Sequence, residues 1–150
     1  MSMTVDQLGE RVGPLILNAI ATRGLRLIGH HWLMLDDTGR PITVNKAKAM
    51  HRMAWATAIA EQRLMWWHYA THARVPRLNA AHIYVTPLHG DLRSPQDVAA
   101  CAPAAKAAVD GLVDAGVLPD DDPHHLRAVT FLPPLICGVN GMALVVEDIG

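Results

Sequence analysis

A strand-type alternation set between two long helical periodicities is the feature that most limits how this chain can fold. Ala81, Ile83 and Val85 alternate with His82 and Tyr84, so successive side chains fall on opposite faces of an extended segment. Before it, residues 46–73 carry the longest helical pattern. There Met50, Met53, Ala54, Ala58, Leu64, Met65 and Tyr69 line the inward side, while Lys46, Lys48, Arg52 and Arg63 stay in water. After it, a second helix spans about 98–115, with Gly116 as its stop and Pro103 in the first turn of a helix beginning near Ala102. A mixed order of this kind gives an α+β domain.

The flanks complete the pattern. Leu8, Val12, Leu15, Ile16, Ile20 and Ala21 recur at helical spacing, and residues 25–35 then read as extended. Asp36-Asp37-Thr38-Gly39 is a turn signal, and residues 41–44 read as the returning strand of a hairpin. Val75-Pro76 ends the long helix, Pro87 ends the strand after it, and residues 89–96 form a polar loop. Residues 117–123 make an acidic turn, and 126–132 and 142–146 are two closing strands. A chain of 150 residues suits one domain, 1–150. The expected architecture is a mixed β-sheet packed against a long helix and a shorter one, with residues 1–40 as an N-terminal helix and hairpin extension.

Composition narrows the setting. No window reaches the roughly 18 uninterrupted apolar residues of a membrane span. Asp6 and Glu10 stand where a secretory signal would be basic and then apolar. Two scattered cysteines, Cys101 and Cys137, do not make a disulfide framework, so a reducing, cytoplasmic compartment is expected. Net charge is −1, but it is unevenly spread. Residues 1–90 hold ten Lys/Arg and five Asp/Glu; residues 91–150 hold three and nine. Basic residues that neutralise phosphates, followed by carboxylates that hold a metal, suit a metal-dependent nuclease. Two independently solvated faces are the plainer explanation of the same counts.

The stretch 97–122 concentrates the chemistry. Asp97 stands at the mouth of a helix, Lys106 and Asp110 lie on it, and Asp120-Asp121-Asp122 follow its end. If the acidic turn folds back, Asp97 and Asp121 can share a hard divalent cation, with Lys106 opposing charge that builds on phosphate. The competing reading is that Asp97 caps a helix and the later aspartates solvate a turn.

This stretch resembles the signature of RusA-type Holliday-junction resolvases, in wording closest to the family's phage and prophage branch. That signature runs Asp-x-Asp-Asn, a helix carrying Lys and Asp, a short turn, then Asp-Asp. Here Lys106-Ala107-Ala108-Val109-Asp110-Gly111-Leu112-Val113-Asp114-Ala115-Gly116-Val117 leads to Asp120-Asp121. Weaker likeness extends over Thr43 to Lys46, Met50 to Arg52, Trp55 and residues 126–134, so about 41–147 is family-like. The resemblance implies a RusA-like fold, a homodimer and cleavage of branched, four-way DNA with Mg2+ or Mn2+. It also implies a phage-encoded protein working in the bacterial cytoplasm. It assigns Asp97, Asp120 and Asp121 to the metal and catalysis, with Lys106 catalytic; the basic residues Lys46, Lys48, Arg52 and Arg93 are the expected phosphate contacts on DNA. The second Asp and the Asn of the first element fall on Ala99 and Ala100, which leaves the ligand set one carboxylate short. Asp91 is the nearby substitute. Two other readings follow from that gap and from the modest net charge: a RusA-like protein that binds branched DNA without cutting it, and a phage protein-interaction scaffold.

No Cys-x-x-Cys pairing accompanies the nine histidines, and paired His30-His31 on a strand point to opposite faces. Trp55, Trp66, Trp67 and Tyr69 share one helix, where core, dimer and base-stacking roles compete. Cys101 has no basic neighbour in sequence and reads as a small buried residue.

Overall fold

The computed structural model of the chain describes residues 3–91 and 97–150. Its centre is the antiparallel pair of β2 (Ala81–His89) and β5 (Gly141–Asp148), which pair from Ala81↔Asp148 to Leu88↔Gly141. Nearly every residue of both strands is buried. A sheet buried on both faces needs helices on both faces, and the chain supplies them.

β1 (His31–Asp36) adds antiparallel to the free side of β5, and β3 (Leu126–Phe131) adds parallel to β2. β4 (Leu135–Ile136) pairs with β2 beyond β3, giving a mixed sheet ordered β1-β5-β2-β3. A parallel neighbour demands a crossover, and α4 (Ala102–Asp114) provides it between β2 and β3. On one face Ile83, Val85, Met142, Leu144 and Val146 pack under α4 and α3 (Arg52–His72). On the other face Tyr84, Leu88, Ala143 and Val145 pack under Leu8, Val12, Ile16 and Ile20 of α1 (Val5–Thr22).

Four local expectations are corrected. Residues 41–43 are not a strand: β1 finds its partner in β5, and Val44 already begins the short helix α2 (Val44–Ala49). The pattern at 46–73 is not one helix but α2 and α3. Thr43 caps the first by accepting from Lys46 N–H at 3.1 Å, and the His51 ring caps the second by accepting from Met53 N–H at 3.2 Å. The buried side of α3 is also different, since Trp66 and Ala70 are its buried residues while Met53 and Leu64 are exposed. Pro87 does not end β2. Leu132 N–H bonds to Val85 C=O, so odd-numbered residues of β2 present their backbone toward β3 and β4. The N–H that Pro87 lacks therefore falls between the 85↔131 and 88↔135 pairings, where no ladder bond is due. Pro103 lies in the first turn of α4, and Gly116 follows its end with φ +81°, as expected.

The crossing of α3 over α4 sets which face of α3 turns inward. A Cβ built on Gly111 would lie 2.5 Å from the Arg63 carbonyl oxygen and 2.9 Å from Trp66 Cβ. Only a residue without a side chain allows the two backbones this close. The approach seats Trp66 in the core, edge-on to Tyr69 at 5.1 Å. Outside the crossing, Arg63 grips Asp114 with bonds of 2.5 and 2.7 Å. Gly111→Ala should therefore destabilise the fold. Helix propensity favours alanine by about 1 kcal/mol, but a methyl against a backbone carbonyl forces the helices apart at about 1–3 kcal/mol. Urea unfolding of the two proteins should give a lower midpoint for the variant, with an unchanged slope.

Candidate functional site

α4 carries Lys106 one turn in from its start, on the face turned away from the core. The neighbouring Ala104, Ala105, Ala107 and Ala108 are buried. Lys106 Nζ donates to Asp110 Oδ1, one turn on, at 2.8 Å. It also donates to Asp121 Oδ2, because the acidic turn after Leu118 folds back along the helix. Asp121 N–H donates to Asp120 Oδ1 at 2.8 Å, which holds the two aspartates in one bend. Asp122 closes that bend, its Oδ1 accepting from the N–H groups of His124 (2.9 Å) and His125 (3.2 Å). Its role is to turn the chain into β3.

Charge balance in this cluster follows from the contacts. The Asp110 and Asp121 carboxylates raise the Lys106 ammonium above its ordinary pKa, and the Lys106 hydrogen bond holds Asp121 below the usual carboxylate range. Under the ion pair lies an apolar slot of about 230 Å³ between α4 and the free edge of β3, floored by Leu126, Val129 and Phe131.

Asp97 is exposed in the turn that leads into α4, its carbonyl accepting from Ala100 N–H at 3.0 Å. The Ala100 carbonyl in turn accepts from Val44 N–H at 3.0 Å. That bond fastens basic α2 to the first half of the motif. Lys46 and Lys48 of α2 and Arg52 at the start of α3 are exposed, and none of the three forms an ion pair with another described residue. Arg93 lies outside the described residues. Asp91 is held elsewhere, by Arg40 at 3.4 Å, while Asn140 Oδ1 accepts from Arg40 Nε and from Gly90 N–H. Sequence reasoning did not single out Arg40 and Asn140, because they lie far from Asp91 in the chain and carry no motif.

The site residues thus divide. Lys106, Asp110, Asp120 and Asp121 come together; Asp97 stays exposed in the turn before α4. Asp97, Asp120 and Asp121 are hard oxygen donors of the type Mg2+ or Mn2+ takes. Among the described residues, however, no three His, Cys, Asp or Glu side chains lie close enough together to hold a metal ion. In this arrangement the carboxylates do not fit a three-ligand ion site, and Asp121 is hydrogen-bonded to Lys106.

The remaining candidates resolve simply. Cys101 is fully buried at the start of α4, and burial pushes its thiol up to about 11, which leaves it a packing residue. Trp66 belongs to the core, Trp55 is half-buried and Trp67 is partly exposed. His125 is anchored by its ring to the Asn79 carbonyl at 2.7 Å. His82 stacks on Tyr84 at 4.1 Å, and burial lowers its pKa. Among the described residues, no helix is long and apolar enough to cross a membrane.

No protein-family model matches the chain, and no curated protein matches it.

The Lys106 cluster yields a titration test. Asp121 has a depressed pKa in the folded chain, so the stability it contributes is present above the ordinary carboxylate pKa and is lost as pH falls through the depressed value. Both partners are more than one-third exposed, so the pair is worth well under about 1 kcal/mol. Carboxyl-carbon NMR should place the Asp121 midpoint below the ordinary value of about 3.9. Lys106→Met, which keeps the aliphatic stem, should move it up toward that value with little loss of stability.

Proposed function

We propose that this protein acts on branched DNA as a RusA-type, metal-dependent endonuclease, with Mg2+ or Mn2+ as cofactor and a homodimer as the working unit. The observation that carries the reading is the bond between Val44 and Ala100. It ties α2, with its exposed Lys46 and Lys48, to the chain just before the helix that bears the motif. The closeness of residues 106–122 to the family's wording supports it further. Exposed Lys46, Lys48 and Arg52 offer phosphate contacts, which position a duplex without reading its sequence. Specificity for branched DNA would then come from shape, and a two-fold substrate matches a two-fold dimer. Lys106 is the residue suited to meet charge on the scissile phosphate, once Asp121 yields it.

Binding without cleavage is the second reading, and a specific observation favours it. Ala99 and Ala100 stand where the family pattern has Asp and Asn, and Asp97 does not join Asp120 and Asp121 in a group able to hold an ion. A third reading, a protein-binding scaffold, predicts no preference for junctions over linear duplex.

A synthetic four-way junction separates these readings. Under the leading one, Mg2+ or Mn2+ gives paired nicks, and Asp97→Asn or Asp121→Asn abolishes them while gel shifts in Ca2+ persist. Tight binding with no nicking, indifferent to both substitutions, would end the enzyme reading. Replacing Lys46, Lys48 or Arg52 by alanine should weaken binding evenly across sequences. Each should lower the salt-dependence slope by about one.

A further inference from the structure

The two ends of the sheet are not treated alike. At the β1 end, α1 and α3 rise on opposite faces and leave a cleft of about 490 Å³ between them, floored by Leu33, Met34 and Leu35. Three consecutive residues of one strand can all line a cleft only if it opens onto the strand's edge. The register shows which backbone groups face it. Asp148 N–H bonds to the His30 carbonyl, so even-numbered residues of β1 direct their N–H and C=O to β5. The groups of His31, Leu33 and Leu35 point the other way, and among the described residues β1 has no second strand neighbour. β1 also lacks the usual guards of an edge strand, having no proline, lysine or bulge.

The walls are chemically distinct. From α1, Asp6 and Glu10 project one turn apart, with Gly9 between them against Leu35 at van der Waals distance. From α3, Tyr69, His72 and Ala73 form the opposite wall. The Tyr69 hydroxyl is already spent on Asp36 at 3.0 Å, so that wall offers mainly ring and methyl surface.

We propose that the β1 edge is a strand-addition site for an extended peptide whose basic and apolar residues alternate. Its backbone pairs with the outward groups of His31, Leu33 and Leu35. Its basic side chains lie on the α1 side, stems over Leu33 and Leu35 and heads at Asp6 and Glu10. Its apolar side chains lie on the α3 side, against Tyr69 and Ala73. A single strand fits because the edge is recessed between two helices. The edge of a second copy would bring its own α1 and α3 against these walls. This site lies at the opposite end of the sheet from Lys106 and does not depend on the nuclease reading.

The test uses fluorescence polarisation of a short labelled peptide alternating lysine and valine, with a glutamate–valine peptide beside it. The lysine peptide should bind and the glutamate peptide should not; a variant with both Asp6→Lys and Glu10→Lys should reverse the preference. Leu33→Pro removes an outward N–H, a change edge strands tolerate, and should weaken binding by about tenfold or more. Equal binding of both peptides, or of neither, overturns the proposal. Hydrogen exchange on the unaltered protein keeps the question open to decision if the proline variant fails to fold. Bound peptide should slow exchange at Leu33 and Leu35 while Trp32 and Met34 stay as they were, and unchanged exchange at Leu33 and Leu35 overturns the site. A dimer that sedimentation shows Leu33→Pro converting to monomer would assign the edge to a second copy and overturn the peptide.

Discussion

The burial of β2 and β5 along both faces governs the rest of the molecule. Two adjacent strands with apolar residues facing both ways cannot rest on one layer of helix, and each face needs its own cover. α1 covers one face. The other is covered by α4, which must lie there anyway because the parallel β2–β3 pairing needs a crossover. α3 is then held against α4 by the close contact at Gly111. The helix that carries Lys106 is thus fixed by the sheet beneath it. Its outer face is free for charge because its inner face is fully committed to alanines, Val109 and Leu112.

What was legible in the sequence follows from which signals are local. The α+β class, the start of α4 at Ala102, the stop at Gly116 and the identity of β3 and β5 came from periodicity and from Pro and Gly placement, which act within a few residues. The break between α2 and α3 was not legible. Met50-His51 holds no Gly or Pro, and the cap that starts α3 is a histidine ring nitrogen rather than a Ser, Thr, Asp or Asn oxygen. The inward face of α3 was also hidden. Met53 and Leu64 fit an apolar stripe as well as Trp66 does, and only the close pass of Gly111, a residue on another helix, decides between them. The hairpin expected after Gly39 failed for a similar reason. Asp36 is bound by Thr38 and by the Tyr69 hydroxyl, so the turn fastens to α3 instead of reversing into a strand.

The candidate site was legible to the same limit. Lys106, Asp110 and Asp121 sit close together because one helical turn and one short reversal bring them there, both nearly local features. Asp97 and Asp91 answer to longer-range constraints. Asp97 stays exposed in the turn ahead of α4, and Asp91 goes with Arg40, near Asn140, at the end of β2. These four aspartates therefore sit in three separate places. A count of carboxylates overstates how many can meet at one ion.

The electrostatics of the Lys106 cluster sharpen that point. An ammonium hydrogen-bonded to two carboxylates removes much of the negative potential that would attract a divalent cation, and it does so at the aspartate the motif values most. For Asp121 to face an ion, Lys106 must first find another anion. On the proposed nuclease reading, a DNA phosphate meeting Lys106 would be such an anion, and its binding would free Asp121. Substrate would then be needed to expose the acid. On this account the separation of Asp97 from Asp121 and the Lys106–Asp121 pair are one state of a charge-balanced surface. On the same reading, the cations of α2, whose Val44 bonds to Ala100 just before α4, would meet that phosphate first.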